Sequence, residues 1–120
     1  MNKKFNFDYD YENDSFFVYS PDSKSKASIE LDDLIIDYTA KKEVSAIELL
    51  NASKFFKNLL PDQQELSKET LRNVADCNVE IIPKNNFFLI KFTFTLKSKE
   101  KITAPILVPS IEESSPSIVA

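Results

Sequence analysis

The chain has 120 residues, 42% of them hydrophobic with ten Phe and four Tyr, which suffices for one globular core. Its net charge of −4, from 15 basic and 19 acidic residues, argues against a surface built for nucleic acid or anionic lipid. It contains no glycine and no histidine, which excludes phosphate-wrapping glycine loops, nucleophile elbows, imidazole bases and His-containing metal centres.

Phe5, Phe7 and Tyr9 alternate with Asn6, Asp8 and Asp10, the period of a strand with one buried face. Turn residues Tyr11 to Asp14 lead to a second strand, Ser15 to Tyr19, and the pair reads as a hairpin. After a polar loop at Pro21 to Lys26 come two more strands, Ser28 to Leu31 and Leu34 to Tyr38, around a turn at Asp32 and Asp33. Val44 to Leu50 is the fifth, so this half is predicted to be an antiparallel meander.

The period then changes: Ala52, Phe55, Phe56, Leu59 and Leu60 form an amphipathic helical stripe, with Asn51 as the expected cap and Pro61 as the stop. Asp62 and Glu65 resemble a capping box opening a second helical stretch, with Leu66, Leu71, Val74 and Ala75 inward. Three strands follow, Asn78 to Ile82, Phe87 to Lys97 and Ile102 to Val108. Pro105 places the last at an edge or at a bulge. The predicted fold is α+β: a largely antiparallel sheet of about eight strands, a meander, one or two helices, then three strands. Residues 1–109 are read as a single domain and 110–120 as a disordered tail.

Residues Tyr9 to Ser53 resemble the domain-of-unknown-function 2283 family of small bacterial and archaeal proteins. The resemblance rests on Tyr9 to Val18, on Ile35-Ile36-Asp37-Tyr38, and on Ala46-Ile47-Glu48-Leu49-Leu50-Asn51-Ala52-Ser53. Two departures stand out: Ala46 replaces a glycine, and the turn near Lys42 lacks its glycine. The resemblance brings no activity with it; it implies a binding role, antitoxin-like, rather than catalysis.

Several side chains invite a functional reading. Asp8, Asp10, Glu12 and Asp14 are oxygen-rich, but no glycine supports a calcium loop, and they read as a wet strand face with Asp10 and Asp14 holding the hairpin turn. Glu48 shares a strand face with Val44, Ala46 and Leu50. It is either an acid/base group or, as favoured here, an acceptor for a tyrosine hydroxyl or for the amides of 51–53. Cys77 has no partner cysteine and no activating base, so it reads as a small buried hydrophobe in a reduced, cytoplasmic protein. Lys84, Lys91, Lys97, Lys99 and Lys101 make a basic stretch from Lys84 to Lys101, yet Phe88, Phe92 and Phe94 are expected to face inward, away from any nucleic-acid base.

No catalytic, cofactor-binding or metal-binding set is predicted. The start of the chain lacks an apolar signal core, and no run is long enough to cross a bilayer. The expected function is a non-catalytic protein-interaction module, acting on another protein or on itself through strand edges. The alternatives are a small enzyme using Glu48 and a single-strand nucleic-acid binder using Lys84 to Lys101.

Overall fold

The computed structural model describes residues 2–3, 5–59 and 66–109. Among them are nine strands and two helices: β1 (Asn2–Lys3), β2 (Asn6–Asp10), β3 (Ser15–Tyr19), β4 (Ala27–Leu31), β5 (Leu34–Tyr38), β6 (Val44–Leu49), α1 (Ala52–Leu59), α2 (Lys68–Arg72), β7 (Val74–Pro83), β8 (Phe87–Leu96) and β9 (Lys101–Pro109). The α+β class, the meander, the intervening helices and the three later strands are as the sequence predicts. The strands divide between two antiparallel sheets, of order β2-β3-β6-β5-β4 and β1-β7-β8-β9.

Two sheets arise because each half has one apolar face and neither can bury it alone. The first contributes Phe16, Val18, Ile36, Ile47 and Leu49, all fully buried; the second contributes Val79, Ile90, Phe92, Phe94 and Ala104, equally buried. Aromatic contacts stitch the layers together. Phe16 meets Phe94 edge to face at 5.3 Å, and Tyr38 lies 6.4 Å from Phe88. Phe56 of α1 stands edge-on to Phe92 and Phe94, so the helix plugs the space between the sheets. On one side the two layers are linked by the chain itself, since β1 pairs with β7 whereas β2, three residues later, pairs with β3.

Several boundaries differ from the sequence reading. α2 starts after Ser67, whose hydroxyl accepts from the Thr70 amide; the proposed Asp62 and Glu65 box and the Pro61 stop lie outside the described residues, as do the Leu59 and Leu60 side chains and the segment 110–120. Val74 and Ala75 open β7 instead of closing a helix, so Val74 is buried while Ala75 is exposed. A β-bulge between Asp37 and Tyr38 pairs Tyr38 with Val44 and Asp37 with Ala46. Val44 therefore turns inward, away from the outer face carrying Ala46 and Glu48.

With no glycine available, left-handed backbone falls to other residues: Asp14, Asp32, Lys42, Asn51 and Lys99 all have φ between 50° and 76°. Aspartate and asparagine tolerate this region best, and lysine poorly. Lys42 sits in the turn where the resembling family carries glycine.

Candidate functional site: an acidic sheet face braced by an aspartate node

The outer face of the five-stranded sheet follows from pleat and register. Asp8 of β2 is opposite Phe17 of β3, which is opposite Glu48 of β6, then Ile35 of β5, then Glu30 of β4. The neighbouring row runs Asn6, Tyr19, Ala46, Asp37 and Ser28. The strand residues of this face thus hold Asp8, Asp10, Glu30, Asp37 and Glu48 and no lysine or arginine. At its centre Phe17, 36% exposed, stacks on Tyr19 with ring centroids 5.1 Å apart.

Asp8, Asp10, Ser15, Phe17 and Glu48 line a shallow hollow on this face. Asp8 and Glu48 occupy strands two apart, about 10 Å at ordinary strand spacing, with the Phe17 ring between them. No group of acidic or cysteine side chains placed to hold a metal ion occurs among the described residues. Asp37 instead accepts from the Ser28 and Ser25 hydroxyls, and Ser25 also contacts Ser45, pinning the 20–26 loop at the end of the sheet.

The hydrogen-bonding role assigned to Glu48 belongs to Asp14. Tyr9 Oη donates to Asp14 Oδ1 at 2.6 Å, and Ser53 Oγ donates to Asp14 Oδ2 at 2.6 Å. The Ser53 amide donates to both carboxylate oxygens at 3.2 Å, and the Ala52 amide to the Asp14 carbonyl at 2.8 Å. Asp14 therefore caps α1 from 39 residues away, its charge set against the positive end of the helix. The Asn51 side chain does not cap: its amide group donates to Asp33, while the Asn51 backbone carbonyl starts the helix by accepting from the Phe55 amide. Burial and the Asp14 carboxylate hold the Tyr9 hydroxyl well above its ordinary range. An aspartate with two short hydroxyl donors is a satisfied acceptor, and among the described residues no stronger base is hydrogen-bonded to Ser53.

Asp10 does hold the hairpin, accepting from the Asn13 amide at 3.2 Å and from its side chain at 2.7 Å, which keeps its carboxyl below the usual range. The same turn projects Tyr11 onto α2. Its hydroxyl donates to Glu69 at 2.6 Å, and Lys68 and Arg72 lie over its ring at 4.7 and 4.8 Å.

The remaining sequence candidates are dispersed. Cys77 is buried, and burial with nearby Asp76 pushes its thiol up to about 12. The basic stretch is divided: Lys84 precedes β8, Lys97 and Lys99 lie in the turn at its far end, and Lys91 sits 4.0 Å from Glu80. Phe92 and Phe94 are fully buried.

A model of the family described as protein of unknown function (DUF2283) matches residues 6–53. An uncharacterized protein of Methanocaldococcus jannaschii is 36% identical over 108 residues, covering 90% of this chain and 88% of its own length. A protein of Methanosarcina mazei carrying the name "Putative hypoxanthine phosphoribosyltransferase" is 35% identical over 95 residues, 78% of this chain and 71% of its own. No solved structure matches. The matched segment holds Tyr9, Asp14 and Ser53 together, so the motif pieces scattered through it meet in one hydrogen-bonded node.

Proposed function

From the premise that the chain belongs to the DUF2283 family, proteins of unknown function, we propose that it is a non-catalytic interaction module that binds a basic protein partner on the outer face of its five-stranded sheet. The observation that carries this reading is the stacked Phe17 and Tyr19 pair flanked across the strands by Asp8 and Glu48. An arginine or lysine laid on such a plate gains ring contact for its stem and face, and a carboxylate on either side for its charge. An antitoxin-like or regulatory protein would use a surface of this kind to cover a basic partner.

Catalysis has less support. The cross-strand neighbours of Glu48 are Phe17 and Ile35, and the Tyr9 hydroxyl is committed to Asp14 on the other face. Phosphoribosyl transfer, the activity in the name of the Methanosarcina relative, calls for an anion cradle, commonly a glycine loop at a helix N-terminus. Here glycine is absent, and the N-termini of α1 and α2 are filled by Asp14 and Ser67. Nucleic-acid stacking on Phe92 and Phe94 is opposed by their burial.

The test is a titration of isotope-labelled protein with hexa-arginine and, in parallel, hexa-glutamate peptides, followed by amide shifts. The reading expects salt-sensitive shifts at Asp8, Phe17 and Glu48 with the cationic peptide alone. An Asp8→Asn/Glu48→Gln variant should bind several-fold more weakly. Shifts confined to another surface, or a variant that binds undiminished, would overturn it.

A further inference from the structure

The sheets have four edges, and the backbone treats them differently. β1 and β2 lie at the corner where the chain passes between the layers, with β2 close against β7. β9 is protected by proline. The Leu96 amide donates to the Glu100 carbonyl at 2.8 Å, which fixes the alternation of the β8–β9 ladder. The peptide groups of Ile102, Ala104, Ile106 and Val108 then face β8, and those of Thr103, Pro105, Leu107 and Pro109 face outward. Two of those four outward positions have no N–H to offer an added strand.

β4 has no such guard. The Leu50 amide donates to the Asp33 carbonyl, so Asp33, Ile35 and Asp37 point toward β6, and Leu34 and Ile36 toward β4. Ile29 and Leu31 therefore bond to β5, while the N–H and C=O groups of Ser28 and Glu30 face away from the sheet. Beside this edge Leu31, 40% exposed, lines an apolar groove with Leu34, Phe55, Pro105 and Leu107, and Leu107 is 63% exposed. Ladder groups that pair with no other described strand, next to exposed leucines, are a surface awaiting a cover.

We infer that the cover is a second copy of this chain, joined antiparallel along β4 about a two-fold axis through Ile29. The free groups fit this register. Ser28 exchanges both hydrogen bonds with the partner's Glu30, and Glu30 with the partner's Ser28, four bonds in all. Ile29 meets the partner's Ile29 in a non-hydrogen-bonded pair, and Ala27 meets the partner's Leu31, so the core-facing row stays apolar across the join. Centring the pair on Glu30 would set two carboxylates opposite each other, which disfavours that slip. The result is a continuous ten-stranded sheet with the leucine groove enclosed beneath it. The inference stands apart from the basic-partner reading, because Asp8 and Asp10 lie on β2 at the opposite end of the five-stranded sheet.

Sedimentation velocity on the full chain over a wide concentration range should show reversible dimerisation. Glu30→Pro deletes one outward donor per copy without touching the β4–β5 ladder, and should weaken the dimer about tenfold or more with circular dichroism unchanged. Should that variant misfold, Ile29→Cys decides. Opposed residues of such a pair sit about 4.5 Å apart at Cα, within disulfide reach, so mild oxidation should crosslink Cys at 29 and leave Ser28→Cys uncrosslinked. A protein monomeric at every concentration, whether the edge stays bare or takes up residues 110–120, overturns the inference. So does a dimer that crosslinks through position 28 but not 29.

Discussion

Replacing Asp14 by alanine removes the acceptor shared by Tyr9 and Ser53, and the cost follows from the geometry. Loss of an N-cap costs about 1 kcal/mol. Each hydroxyl bond to a charged acceptor contributes about 1.5 kcal/mol or more, discounted because Tyr9 and Ser53 are only half buried and regain water. Alanine at a φ of 53° adds about 1 kcal/mol of backbone strain. The sum is about 3–4 kcal/mol, a fall of more than about 10 °C in Tm for a chain of this size. Asp14→Asn keeps the left-handed preference and one acceptor oxygen, and should lose about half as much. Urea unfolding followed by circular dichroism and tyrosine fluorescence gives both values. A double-mutant cycle with Ser53→Ala should return a coupling of about 1 kcal/mol or more. The reasoning fails if Asp14→Ala costs under 1 kcal/mol, if the cycle is additive, or if Glu48→Gln is equally destabilising.

Lys99 is the third residue of the turn joining β8 to β9, at a φ of 76° where hairpins of this length favour glycine. Lys99→Gly should therefore raise stability by about 0.5–1 kcal/mol, and Lys99→Ala should not. Burial pushes the Tyr38 hydroxyl up to about 12, and burial with Asp14 raises Tyr9 as well. Because the native state keeps these protons longer than the unfolded chain, their contribution is whole below pH 10 and is lost as pH climbs from 10 through 12; Tyr9→Phe should flatten that decline in denaturation midpoints. Cys77 should react with a thiol-specific reagent at neutral pH only as fast as the protein opens, and rapid labelling of the folded state would contradict its placement in the core.

Local pattern reported local structure well. The alternation of Phe88, Ile90, Phe92, Phe94 and Leu96 foretold an inward face, and the Ala52, Phe55, Phe56 stripe foretold α1, because a single buried face imposes its own period. What periodicity does not carry is which face meets which, so the division into two sheets emerged only from the contacts of Phe16 and Tyr38 with β8. The cap of α1 escapes a linear reading for the same reason. Asn51 is the right kind of residue in the right place, but the acceptor comes from a hairpin 39 residues earlier. The family resemblance held the missing clue, since Tyr9, Asp14 and Ser53 all fall in its matched pieces, although nothing in a linear reading says that they touch. For the acidic face, alternation placed Asp8 and Asp10 correctly, and register across three strands was needed to bring Glu48 and Phe17 beside them.

The passage of the opening segment from one layer to the other has a temporal side. Lys3 is the register partner of Val79, so during synthesis β1 has no ladder to close until β7 has been made. The meander can assemble meanwhile, with α1 capped by Asp14 as soon as Ser53 is available. Closure of β1 onto β7 is then a latch of high sequence separation, the kind of contact that slows folding.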